Sequence, residues 1–331
     1  MAKKYSILLL FALFCGLFFT QCEKKKEKKG QSVEESLRTP PAYSADSAFL
    51  FVKAQTDFGP RVPNTPAHKQ CLEFLKQTLA EYCDTLYCQE FTAKAYDGTE
   101  LKSCNIIGSF APEKTKRIVL ASHWDSRPFA DHDAEEANRQ KPIDGANDGA
   151  SGVGVLLEVA RQLSLKSPEV GVDIVFFDAE DYGTPEGVSA PEGEWWGLGS
   201  QYWSQKPHIP GYRALYGILL DMVGNANARF RHEGFSELYG RSVINKVWGT
   251  AGQLGYGDVF LNATSHPITD DHYYVNTLAG FPMIDIIHQE DYTGTGFPAT
   301  WHTLNDNIEH IDKNMLAIVG TTLLAVIYDE K

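Results

Sequence analysis

Five acidic or histidine-bearing segments fall where predicted strands end: His123-Trp-Asp125, Asp148 in the run GANDGASG (145–152), Glu180-Asp181, Asp221 and His302. Asp, Glu and His are the oxygen and nitrogen donors that suit Zn²⁺, and a catalytic zinc site needs three of them plus an open position. Glu180 and Asp181 are adjacent, so at a strand end their side chains point in different directions. One can bind a metal while the other stays free to move protons. Each residue alone has a plainer reading as a helix cap, a solvated turn or a packed histidine. Charges gathered at several strand ends favour a functional site over that set of coincidences.

The elements that must position these residues can be read from hydrophobic periodicity. Residues 45–58 and 66–82 read as amphipathic helices around the proline-rich loop 59–66, with Leu72, Leu75 and Leu79 on one face of the second. Residues 85–93 and 100–110 read as a hairpin turning at Tyr96-Asp97-Gly98. RIVLAS (117–122), VDIVFF (172–177), YGILL (216–220) and MIDII (283–287) are nearly continuous apolar runs of the kind buried in a central sheet. Helices are expected at 149–164, capped by Asn147 or Asp148, and at 312–328. This alternation predicts a single-domain α/β fold, an open, mostly parallel twisted sheet with helices on both faces. Ligands of such sheets bind beyond the carboxyl ends of the strands. That rule gathers His123, Asp125, Asp178, Glu180, Asp181 and Asp221 at one end, and adds His288, Glu290 and Asp291 after MIDII. Residues 183–197 and 288–300 form long loops near the same end.

The chain of 331 residues carries 30 basic and 43 acidic side chains, a formal charge of −13. Seven of the lysines lie in the first thirty residues, which leaves an acidic body unsuited to nucleic acid. Lys3 and Lys4 precede the apolar run 7–19, which is shorter than the roughly 20 residues that span a bilayer. We therefore expect residues 1–22 to be an export signal of lipoprotein type with Cys22 acylated. Residues 23–42 would be a charged tether and 43–331 the catalytic domain. The protein would be exported, periplasmic and in contact with the membrane only through its lipid. In the predicted hairpin Cys88 and Cys104 fall roughly opposite each other and are candidates for a disulfide.

His123-x-Asp125, Asp148 in GANDGASG, Asp178-Ala-Glu180-Asp181, Asp221 in LDMVG and Trp301-His302-Thr303 resemble, in order, the zinc-dependent aminopeptidase and glutaminyl cyclase superfamily. The resemblance implies Asp148, Asp181 and His302 as the ligands of one zinc. In the aminopeptidase branch His123 and Asp221 hold a second metal with Asp148 bridging, and here His123 and Asp125 are candidates to bind a second metal or to support the ligands. Asp270-Asp271-His272 and the run from Phe297-Pro298 to Trp301-His302 resemble the cyclase branch instead. They imply a glutaminyl-peptide cyclotransferase acting on peptides or proteins with an N-terminal glutamine, with a single Zn²⁺. Glu180 would shuttle protons, Asp270 would stabilise the leaving amine and Asp221 would hold Glu180. Ile268, Phe297, Trp301 and one of Trp195 and Trp196 would enclose the substrate side chain. Asp270 and Asp271 have a plainer reading as caps of a helix starting at His272. Asp181 stands where animal cyclases usually have Glu, the loop 183–194 is an insertion, and Ala121-Ser122 replaces their paired cysteines. The rival readings are a two-metal aminopeptidase and a lipid-anchored binding protein without catalysis.

Overall fold

Each central strand alternates its side chains between two apolar layers, because successive strand residues point to opposite faces. The computed structural model describes residues 39–331. Strands β1 (Thr85–Lys94) and β2 (Glu100–Phe110) form the expected hairpin. They are followed by β3 (Arg117–His123), β4 (Gly171–Phe177), β5 (Gly217–Asp221) and β8 (Met283–Ile287) in one six-stranded sheet of order β1-β2-β4-β3-β5-β8. β4, β3, β5 and β8 run parallel, and the hairpin joins antiparallel through β2. Ile118, Leu120, Ile174, Phe176, Ile218, Leu220, Ile284 and Ile286 face one layer. Val119, Ala121, Val175, Phe177, Leu219 and Met283 face the other. Burying such a side chain contributes about 1.5–3 kcal/mol, so a one-residue slip in any of these strands is strongly disfavoured.

Helices α1 (Ala45–Thr56), α3 (Ala150–Leu165) and α7 (Lys313–Asp329) pack together over the first layer. The second layer is covered by α4 (Leu198–Gln205), through Trp203, and by the segment around Val275 and Phe281. α2 (Pro66–Ala80) starts at Thr65, whose hydroxyl accepts from the His68 amide, with Pro66 in the first turn. Asp312 caps α7 in the same way, through the Met315 amide. The prediction of helices on both faces therefore holds. Among the described residues no helix is long and apolar enough to cross a membrane. The signal segment, Cys22 and the tether up to residue 38 lie outside the described residues.

Two expectations are corrected. Neither Asn147 nor Asp148 caps α3; its N-cap is Gly149 at φ +90°, with no side-chain hydrogen bond. A Cβ there would meet the Asp125 carbonyl and the His123 ring at 2.9 Å, so only glycine fits this turn. Cys88 pairs in register with Ile106, and Cys104 with Glu90, an offset that takes the two cysteines out of opposition; both are free thiols. The long stretch between β5 and β8 holds unpredicted structure: a short parallel pair, β6 (Phe230–His232) and β7 (Phe260–Thr264), and the 20-residue helix α5 (Gly234–Gln253). α5 carries four glycines and a kink at Gly240, a composition that hides helix periodicity.

Glu233 anchors that region. It is fully buried, caps α5 through the Phe235 and Ser236 amides, and also accepts from the Ile268 amide and His272 Nε2, each at 2.7–2.8 Å. Burial opposes its charge, but His272 and the amides hold its carboxyl down at about 2. A depressed carboxylate contributes stability above its unfolded value and loses it as pH falls through the folded one. Glu233→Gln should therefore cost about 3 kcal/mol at neutral pH and flatten the acid limb of stability between about pH 4.5 and 2. Urea unfolding across pH checks this; equal midpoints for the two proteins at pH 7 would refute it.

Candidate active site

The turn after β4 and the loop before α3 are held in place by two acids that act on the backbone. Asp125, just beyond β3, accepts from the amides of Glu180 at 3.1 Å and Asp181 at 3.2 Å. Asp306 does the same for Asn147 at 2.7 Å and Asp148 at 3.0 Å. Each acid thus fixes two consecutive amides, one of which carries a candidate metal ligand. Asp178 is turned away from the site. It pairs with His68 at 2.9 Å and accepts from the amides of Cys104 and Ala179. Ala179, Met222 and His302 adopt left-handed backbone (φ +55°, +51° and +53°), which bends the chain sharply beside Glu180 and Asp221 and at His302 itself.

Ligand-type atoms of Asp148, Asp181 and His302 converge within 4.8 Å of one another, and all three residues are buried. His302 Nε2 lies 3.4 Å from Asp181 Oδ1 and 3.7 Å from Asp148 Oδ2. Its Nδ1 faces Asp131 Oδ1 at 3.4 Å, the carboxylate–histidine arrangement that orients a metal-binding imidazole. Asp181 Oδ2 is buried without a hydrogen-bond partner. Two carboxylates and one imidazole around such an orphaned atom fit Zn²⁺. His123, Asp148 and Asp221 form a second convergent group that shares Asp148. There His123 Nε2 already touches Asp148 at 2.9 Å and Asp221 at 3.3 Å.

Arg127 was not anticipated and ties this centre together. Its guanidinium is almost completely buried and grips Asp131 through two bonds of 2.8 and 2.7 Å. It donates to the Asp181 carbonyl at 3.1 Å and lies 4.8 Å over the Trp196 ring. It therefore fixes one ligand directly, a second through Asp131, and one wall of the pocket. Its spacing, two residues beyond Asp125 and four before Asp131, was the available signal.

A cavity of about 290 Å³ opens beside these ligands, lined by Glu180, Asp221, Asp270, Ile268, Phe297 and Trp301 among others. Trp196 belongs to the lining and Trp195 does not; the Trp195 indole donates instead to the Pro191 carbonyl. Gly183 makes room for the Trp196 ring, which a Cβ there would strike. Trp301 stacks on His302 with ring centroids 3.6 Å apart and lies tilted against Phe297 at 4.4 Å. Asp270 both lines the cavity and caps the short helix α6 (Asp271–Tyr274), so its two readings are compatible. His288, Glu290 and Asp291 stay out of the cavity: His288 bonds Glu290 at 2.9 Å, and Asp291 pairs with Arg231.

Burial dominates the electrostatics. It pushes the Glu180 carboxyl well above the carboxylate range despite His123, with Asp270, Asp181 and Asp271 adding repulsion. Asp221 rises to about 8 through burial and the Asp148 charge. Asp270 is raised by burial, and Asp306, clamping its loop, reaches about 7 for the same reason. A carboxyl whose hold on its proton burial strengthens, inside a small apolar-walled cavity, can act as an acid and as a base.

A model of peptidase family M28 matches residues 105–327. The solved glutaminyl cyclase of Bacteroides thetaiotaomicron, bound to N-acetylhistamine, is 53% identical with a TM-score of 0.87, covering 88% of this chain and 100% of that one. A Zn-dependent exopeptidase from Parabacteroides distasonis is 50% identical with the same TM-score and the same coverage. The glutaminyl-peptide cyclotransferase of Gloydius blomhoffii is 26% identical over 287 residues, 76% of this chain and 73% of that protein. With the family model spanning most of the folded region and these zinc-enzyme and cyclase relatives beside it, the chain belongs to peptidase family M28.

Proposed function

We propose that this protein is a glutaminyl-peptide cyclotransferase, converting an N-terminal glutamine of peptides or proteins to pyroglutamate with release of ammonia. The α-amine nitrogen attacks the side-chain amide carbon, the C–N bond to the amide nitrogen breaks, and that nitrogen leaves as ammonia; no water is consumed. The observation that carries the reading is the small cavity of Ile268, Phe297, Trp301 and Trp196 closing over Glu180 and Asp270, in a chain half identical to a bacterial glutaminyl cyclase. Folding the glutamine side chain back on its own amine inside such walls is a proximity effect.

Asp148, Asp181 and His302 would hold the metal. A bound Zn²⁺ supplies Lewis-acid polarisation of the amide carbonyl. Glu180 takes a proton from the attacking amine and returns one to the departing nitrogen, a task that suits its raised carboxyl. Asp270 stabilises the leaving amine as it gains that proton, and Asp221 confines Glu180. One zinc per chain is supported by the second group itself, where the His123 ring is in direct contact with both Asp148 and Asp221. The convergence of those same three residues favours the second reading, a two-metal aminopeptidase in which Glu180 activates water. We place the enzyme outside the cytoplasm, anchored through a lipid on Cys22.

Metal analysis of the purified protein should find one zinc, and the protein should release ammonia from a Gln-peptide while leaving a leucine anilide intact. Two metals per chain with anilide cleavage would sink the cyclase reading. Glu180→Gln should retain zinc and lose at least about 100-fold in kcat, as removal of a proton-transfer group does; undiminished turnover would point to another base. Arg127→Met should weaken zinc binding about 10–100-fold, the usual effect of losing a group that supports the ligands. Competition with a chelator reads that change, and identical zinc affinity in the variant would show that Arg127 does not organise the ligands.

A further inference from the structure

A second cavity, of about 350 Å³, lies between α5 and the β6–β7 pair and shares no lining residue with the active cavity. Three rings build its walls: His232 from β6, Trp248 from α5 and Phe260 from β7, each at least nine-tenths buried. Trp248 meets His232 and Phe260 edge to face, with ring centroids 5.2 and 5.3 Å away. Its indole N–H donates to the Leu261 carbonyl at 3.1 Å, which fixes the ring. His232 Nδ1 donates to Glu237 at 2.8 Å, and Glu237 also pairs with Arg241. That commits the proton to Nδ1 and leaves Nε2 as an acceptor. Nε2 is buried and has no hydrogen-bond partner among the described residues.

Glycines keep this cavity open. Gly249 and Gly252 on α5, and Gly257 in the turns that follow, line it, and a Cβ at any of the three would meet nothing within 4 Å. Neither a close approach nor a positive φ calls for glycine at these positions. Within a helix glycine is less favourable than any residue but proline, so propensity does not call for the two in α5 either. What they provide is space. The exposed carboxamides of Asn245 and Asn262 complete the lining and have no hydrogen-bond partner among the described residues. Among the described residues no Asp, Glu, Lys or Arg lines the cavity. An ion would lose hydration there with nothing in return, so the lining favours a neutral molecule. Rings on three sides call for apolar surface on that molecule. The imidazole nitrogen and two carboxamides, each with a donor and an acceptor side by side, call for several hydroxyls as well. Small-ligand cavities start at about 300 Å³, so this one is sized for a single ring. We infer that the cavity is a second binding site, separate from the active cavity, for a neutral sugar ring. The C–H faces of the sugar pack on the aromatic walls, and one of its hydroxyls supplies the donor that His232 Nε2 lacks.

Saturation-transfer NMR on the purified protein tests this, with glucose, N-acetylglucosamine and glucuronate as probes. Both neutral sugars should receive saturation, with dissociation constants on the order of 1–10 mM for ligands of this size. Glucuronate, the same ring with a carboxylate, should bind at least about tenfold more weakly than glucose. Gly252→Leu places a side chain in the cavity from an open helical position, with better helix propensity, and should abolish the transfer. His232→Phe keeps a ring and removes the acceptor, and should weaken both neutral sugars about tenfold. Asn262→Leu, at an exposed position, reads the same loss if the His232 variant does not fold. The proposal is overturned by no transfer to either neutral sugar above that concentration range, or by undiminished transfer in Gly252→Leu. Glucuronate bound as tightly as glucose, or affinity unchanged by both His232→Phe and Asn262→Leu, overturns it equally.

Discussion

Everything at this site follows from the need to bury many negative charges in one place. Asp148, Glu180, Asp181, Asp221, Asp270, Asp271 and Asp285 are all buried around the carboxyl ends of four parallel strands. An unpaired buried carboxylate is costly enough to take up a proton instead of keeping its charge. The fold offers two compensations. Near the metal group it supplies cations: Arg127 against Asp131 and Asp181, His302 between Asp181 and Asp148, and His123 against Asp148 and Asp221. Away from it, cations are scarce, and there the carboxyls of Glu180, Asp271 and Asp285 are pushed furthest up. The site therefore divides between ligand-type carboxylates that face cationic side chains and carboxyls, Asp221 among them, that burial holds above their usual range.

That division depends on backbone geometry as much as on side chains. Asp125 and Asp306 contribute no ligand, yet each gathers two successive amides and so fixes the directions in which Glu180, Asp181 and Asp148 leave the main chain. The left-handed conformations at Ala179, Met222 and His302 cost on the order of 1–3 kcal/mol each. Such turns persist only where their surroundings over-determine them. Here the apolar layers on both sides of the sheet supply that rigidity, and Arg127 and Asp131 hold His302 in place from behind.

The sheet, its flanking helices and the ligand residues were legible because they obey local rules: apolar runs bounded by turns, and donor residues at the ends of those runs. The supporting shell was not. Arg127, Asp131 and Asp306 lie in loops without periodicity, and beyond the Arg127–Asp131 pair itself their partners are distant in sequence, from 54 residues for Arg127 to Asp181 to 171 (302 − 131) for Asp131 to His302. Trp195 and Trp196 are adjacent in an irregular loop, so only the fold separates the one over Arg127 from the one bonded to Pro191. His288, Glu290 and Asp291 satisfied the strand-end rule and still missed the cavity, because β8 is the edge strand and its following residues pair among themselves and with Arg231.

The ligand set by itself is compatible with two chemistries, and the surrounding walls separate them. Hydrolysis needs room for water and a group to activate it beside the metal. Cyclisation brings its own nucleophile, so the site need only hold one side chain folded on itself and pass protons between two nitrogens. The cavity here is small, three of its walls are the aromatic rings of Trp196, Phe297 and Trp301, and its polar floor consists of carboxyls that burial keeps ready to exchange protons. A hydrolase could be built from the same ligands by widening those walls, which places the choice of reaction in the residues around the metal group and leaves the ligands common to both.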